Sequence, residues 1–108
     1  MSQYTPDRWV VLEFTNNDTV TRKLFGGWYG GYTDGDTWKL NSGIMAIRID
    51  DSGHYEFDGA SGSTYYCHIG DYGMSGLQVG VLAGWLKQAE QHSDFKIRKL
   101  CLADIAAF

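Results

Sequence analysis

The sequence predicts an α+β fold, an antiparallel sheet of about five to six strands with one main helix packed on one face. Three observations carry that expectation. Residues 44–69 hold three short period-two segments separated by glycine-containing loops, the pattern of a β-meander. A capping-box signature then opens an amphipathic run over about residues 75–91. A last β-rich segment follows, so the order is strands, helix, strand, and the short loops favour antiparallel pairing with the helix across one face.

Each element has its own warrant. Arg8–Phe14 alternates, with Val10, Leu12 and Phe14 on one face, and Thr15-Asn16-Asn17-Asp18-Thr19 supplies turn chemistry before Val20–Phe25 returns as a second strand. Residues 25–38, Phe-Gly-Gly-Trp-Tyr-Gly-Gly-Tyr-Thr-Asp-Gly-Asp-Thr-Trp, read as a connection from this hairpin to the meander, anchored by Phe25 and Trp38, with a short strand over Thr37–Leu40. In the meander, Met45, Ile47 and Ile49 are in phase, as are Tyr55 with Phe57 and Tyr65 with Cys67 and Ile69. A three-residue loop with Gly53 in the left-handed position pairs Ile49 with Tyr55, Arg48 with Glu56 and Ile47 with Phe57. The five-residue loop over 59–63 pairs His54 with His68, Tyr55 with Cys67, Glu56 with Tyr66 and Phe57 with Tyr65. Both registers put the apolar side chains on the same face, which is expected to meet the helix.

The helix opens at Ser75-Gly76-Leu77-Gln78, and Leu77, Val81, Leu82, Trp85, Leu86 and Ala89 form its apolar stripe. Gly76, Gly80 and Gly84 recur at every fourth position. The two interior ones cost roughly 1 kcal/mol each relative to alanine, so close packing against a neighbour is the expectation. Phe95–Leu102 reads as the last strand and Ala103–Phe108 as an apolar tail.

Composition bounds the function. The chain has 108 residues, 44% hydrophobic and 15% aromatic, which suits one domain over 1–108. A net charge of −4 disfavours nucleic acid, which needs a basic patch. No stretch approaches a membrane span and the first residues lack signal-peptide character, so a cytoplasmic protein is expected. Cys67 and Cys101 form no zinc or redox motif and are expected to be free thiols.

The candidate chemistry is sparse. Asp50, His54 and His68 fall in one cross-strand row on the outer face of the meander. Two imidazoles and a carboxylate at about 5 Å spacing are the donor set for a divalent transition metal, or simply polar residues on a wet face. Asp34 and Asp36 lack the further ligands of a calcium loop, and the glycines of 25–38 are not followed by the residues of a phosphate loop. Trp28, Tyr29, Tyr32, Tyr66 and Tyr72 are the candidate contact residues, because rigid aromatics anchor protein partners.

The sequence therefore reads as a non-enzymatic protein-binding module, an inhibitor or accessory factor. Its small size, acidity and glycine-aromatic make-up resemble those of small proteins of phages and mobile elements. Two alternatives stand beside this reading: a metal- or small-ligand-binding protein or enzyme using Asp50, His54 and His68, and a structural subunit of a homo-oligomer. A homodimer would use the first strand as a sheet edge or the 103–108 tail.

Overall fold

The computed structural model describes residues 2–30 and 35–106. The chain is α+β, as expected, but its strands form two four-stranded sheets rather than one. The strands are β1 (Gln3–Tyr4), β2 (Arg8–Asn16), β3 (Thr19–Trp28), β4 (Thr37–Leu40), β5 (Ile44–Ile49), β6 (His54–Gly59), β7 (Thr64–His68) and β8 (Phe95–Lys99). The main helix α1 spans Gly76–Ala89 and a short α2 spans Leu102–Ala106. One sheet runs β1-β7-β6-β5 and the other β4-β3-β2-β8. All ladders are antiparallel except β1 with β7.

The meander register is the one the sequence predicts. Ile47 faces Phe57, Ile49 faces Tyr55, Tyr55 faces Cys67 and Phe57 faces Tyr65. A bulge between Ile44 and Ala46 breaks the expected phase at the start of β5. Ile44 and Ile47 pack on the core, and Met45 is left out in solvent.

The apolar face of the meander does not meet the helix. It packs on the other sheet, through Trp9, Val11 and Leu24 against Tyr55, Phe57, Tyr65 and Cys67. The helix covers the opposite side of that second sheet, with Leu82 on Val10, Leu12 and Phe25, and Val81 and Trp85 alongside. The layers are therefore helix, sheet, sheet. The cause lies in Trp9-Val10-Val11-Leu12, an unbroken apolar run whose four side chains are all buried. A strand that is apolar on one face only can lie on the outside of a sandwich, whereas one that is apolar on both faces must lie between layers. For the same reason β2 is a central strand, paired with β3 and β8, and not the sheet edge expected for a dimer contact.

Residues 25–38 change meaning in the structure. The β3 strand runs on through Phe25-Gly26-Gly27-Trp28, and β4 turns back to pair Trp38 with Gly27 and Leu40 with Phe25. Residues 25–28 and 37–38 are thus paired strand in a hairpin, not a connection between hairpin and meander. Gly27 has a steric reason. The buried Gln78 side chain of α1 reaches down onto β3, donating from Nε2 to the Phe25 carbonyl at 3.1 Å. Its Oε1 accepts from the Ser75 amide at 2.9 Å, completing the capping box. A Cβ at Gly27 would sit 2.3 Å from that Oε1.

The helix glycines have no such reason. Gly76, Gly80 and Gly84 face open space, so the expected close packing is absent, because the helix buries the side of Gln78, Leu82 and Ala89 instead. The segment after β8 is not a loose tail, since Leu100 and Ile105 are fully buried in the core between the sheets. Urea denaturation should separate the two kinds of glycine. Gly27→Ala is expected to destabilise by about 1–3 kcal/mol, through overpacking against a buried hydrogen-bonded amide. Gly80→Ala and Gly84→Ala should each stabilise by about 0.5–1 kcal/mol.

Candidate functional site

The aromatic residues singled out in the sequence divide between half-buried and exposed positions. Tyr72 is half-buried and packs against both cores. Its hydroxyl donates to the Leu100 carbonyl and its ring stands edge-on to Trp9 at 4.8 Å. Trp28 is half-buried, with its indole Nε1 donating to the Thr5 carbonyl at 3.0 Å and its ring edge-on to Tyr4. Both rings are occupied inside the chain, so neither is presented as a contact group. Tyr66 is half-buried on the outer meander face beside Glu56, and burial together with the Glu56 charge raises its phenol above the ordinary range. Tyr32 lies outside the described residues, as does Asp34.

Tyr29 is the candidate that stays outside, 56% exposed. Its backbone is nonetheless held. The Tyr29 amide donates to Asp7 Oδ2 at 2.9 Å, and the Gly30 amide donates to Asp36 Oδ1 at 3.3 Å, so two carboxylates pin the mouth of the β3–β4 hairpin.

Trp38, an anchor of the 25–38 segment in the sequence, has a second character in the structure. Trp38 is stacked edge-on between Phe25 at 5.8 Å and Trp85 at 5.3 Å, yet is 41% exposed. The position follows from the ladder. Trp38 lies opposite Gly27, which offers no side chain, so the indole leans across onto Trp85 of α1. Leu77 and Val81 precede Trp85 by two turns and one turn on the same helix ridge, and Leu77 is exposed. The result is a rigid aromatic ledge on the edge strand β4, continued along α1. The signal for it in the sequence was the Gly27 and Trp38 pairing, legible only once the hairpin register is known.

The polar row on the outer meander face exists as expected. His54 faces His68 with ring centroids 4.8 Å apart. The donor atoms are largely committed. Asp50 Oδ1 accepts from the Ser52 amide, the Ser52 hydroxyl and the His54 amide at 2.8–3.0 Å, which closes the β5–β6 turn. These bonds hold the Asp50 carboxyl below its ordinary range, the His54 amide contributing most. His54 Nδ1 lies 2.9 Å from the Ser52 hydroxyl, and His68 Nδ1 accepts from the Gly70 amide at 3.0 Å. Each ring is left with Nε2 to offer a ligand. Among the described residues no group of three or more His, Cys, Asp or Glu is arranged to hold a metal ion. The Ser52–Asp50–His54 contacts are those of a turn, all within five residues. Cys67 is buried and its thiol is pushed far up by desolvation, so it is no nucleophile, while Cys101 is exposed.

The same face carries one strong ionic group. Arg48 forms a bidentate pair with Asp58, both contacts 2.8 Å, and reaches Glu56 at 3.0 Å. The guanidinium holds both carboxyls below their ordinary range, and they in turn raise Arg48.

Among the described residues no helix is long and apolar enough to cross a membrane. In comparisons with known proteins the chain matches no family model, no curated protein and no solved structure.

The ionic group makes a signed prediction. Carboxyls with lowered folded pKa stabilise the fold above their unfolded values, about 4, and lose that contribution as pH falls through the folded ones. Arg48→Met should therefore lower Tm at about pH 6, with the gap to wild type closing towards about pH 2 as both carboxyls protonate. Thermal melts of the two proteins across that range check it, and a gap that does not change with pH would contradict a stabilising role for the Arg48 pairs with Asp58 and Glu56.

Proposed function

We propose that the chain is a small non-enzymatic protein-binding module, an inhibitor or accessory protein, that meets its partner through the β3–β4 hairpin and the adjoining ridge of α1. The carrying observation is the half-open Trp38, fixed on Phe25 and Trp85 and yet 41% exposed. A tryptophan held in place in the free protein costs little further ordering on binding, and such residues dominate the energy of protein interfaces. Tyr29 adds a second exposed ring on a pinned backbone at the same hairpin, and Leu77 extends the apolar area along the helix. Asp7 and Asp36 give the rim a negative edge, suited to a partner with basic residues around an apolar centre.

The reading of Asp50, His54 and His68 as a divalent-metal site is supported by the 4.8 Å ring contact and opposed by the commitment of both Nδ1 atoms. The protein-binding reading has the stronger support.

The test is quantitative co-purification from the native host, comparing wild type with Trp38→Ala and Tyr29→Ala. One protein should be enriched with wild type and reduced at least about tenfold with Trp38→Ala, the loss expected of an interface hot spot. Equal recovery with all three, each shown to be folded by circular dichroism, would move the contact away from the hairpin.

A further inference from the structure

The layer between α1 and its sheet holds no carboxylate, although the chain as a whole carries a net charge of −4. Helix α1 has no aspartate or glutamate, and neither do β3, β4 and β8. The one acid of that sheet is Glu13 on β2. Strand alternation turns it to the meander side, where Arg22 and Arg98 pair with it. A cation does face the helix layer. Lys23 lies opposite Leu12, on the face of Val10, Leu12 and Phe14, and its Nζ stands 5.6 Å from the centre of the Phe14 ring. Among the described residues Lys23 forms no ion pair.

That Phe14 ring is part of the wall of a cavity of about 380 Å³ between the C-terminal end of α1 and the sheet. Phe14 and Phe95 form its sheet side with their rings 6.1 Å apart, and Leu40 and Ile97 lie on the same side. Trp85 and Ala89 form its helix side, and Trp85 is fixed by the Phe25 ring at 5.1 Å. Aromatic rings on both sides suit a flat ring as guest, since edge-on and offset contacts are the favoured geometries. The polar lining is Gln88 and His92, both exposed. No acid lines the cavity, and Glu90, the first acid after the helix, lines the neighbouring groove over the edge of β8. The volume lies at the lower end of small-ligand sites, which run from about 300 to 1,000 Å³.

We propose that this cavity binds a small aromatic carboxylate, with its ring among Phe14, Phe95 and Trp85, its carboxylate on Lys23, and Gln88 and His92 donating at the rim. The charge selects the ligand. Lys23 already covers the Phe14 ring, and no carboxylate lines the cavity to receive a second cation. A bound carboxylate supplies the counter-charge that the whole layer lacks, through a charge-assisted hydrogen bond. Trp85 is shared with the Trp38 ledge, but the ligand site does not rest on the protein-binding reading, and either can fail without the other.

The test is a titration of the whole chain, followed by the methyl NMR signals of Leu40, Ala89 and Ile97, with three probes of one shape: naphthalene-2-carboxylate, naphthalene-2-methanol and naphthalene-2-methylammonium. The carboxylate should shift these methyls saturably, with a Kd of about 1 mM or below. It should bind about three- to fivefold more tightly than the alcohol, with the ammonium weakest. Lys23→Met keeps an apolar stem beside Phe14 and removes the charge, so it should bring the carboxylate down to the alcohol and leave the alcohol unchanged. Ala89→Leu fills the cavity and should weaken the carboxylate and the alcohol alike. If that variant fails to fold, Lys23→Met decides alone. No saturable shift with the carboxylate overturns the proposal. So does equal binding of the three probes, or a carboxylate affinity untouched by Lys23→Met, since apolar area alone would then hold the ring.

Discussion

The structure depends on one strand that has no solvent face. Trp9, Val10, Val11 and Leu12 alternate between two cores, Trp9 and Val11 towards the meander and Val10 and Leu12 towards the helix. The backbone of β2 is equally occupied. β3 lies along one side, and the other side is shared by Tyr72–Gly73 near its start and β8 near its end. Burying such a strand demands a partner for every amide and carbonyl, and those partners come from three separate parts of the chain. Trp9 makes the junction specific, because its indole Nε1 donates to the His68 carbonyl at 2.7 Å while its ring meets Tyr55, Phe57 and Tyr72. The meander is thereby tied to β2 by a directional bond as well as by area.

Gln78 plays the corresponding part on the other side of β2's sheet. A buried amide is costly unless it is satisfied, and here it is satisfied at the helix start and on the Phe25 carbonyl together. The helix cannot slide on the sheet without stranding it. The glycine at 27 makes room for this amide, and the same missing side chain lets Trp38 lean onto Trp85. A constraint of the fold and the exposed aromatic ledge thus share one origin.

Local chemistry made much of this legible in advance. The meander register, the two loop lengths and the Ser75–Gln78 cap depend on neighbours in sequence, and the structure places them as the pattern requires. The layering was not legible, because an apolar residue such as Val11 at an outward position of an alternating strand reads as noise until a second sheet is there to cover it. Gly80 and Gly84 misled for a related reason. Their four-residue spacing suggests a packed face, but the helix is placed by Gln78 and Leu82 on another side. Of the candidate site, the row of His54 and His68 followed from register alone. The division of the aromatics into half-buried Tyr72 and Trp28 and exposed Tyr29 required contacts across more than twenty residues.

The central claim is that β2 couples the helix layer and the meander layer into one cooperative unit. The most direct measurement is residue-resolved urea denaturation by NMR of wild type and Val10→Ala, a change on the helix side only. Signals from Leu82 in the helix layer and Cys67 in the meander layer should lose intensity at one midpoint in wild type. In the variant both should move to the same lower midpoint. A Cys67 midpoint that stays in place while that of Leu82 falls would contradict the account.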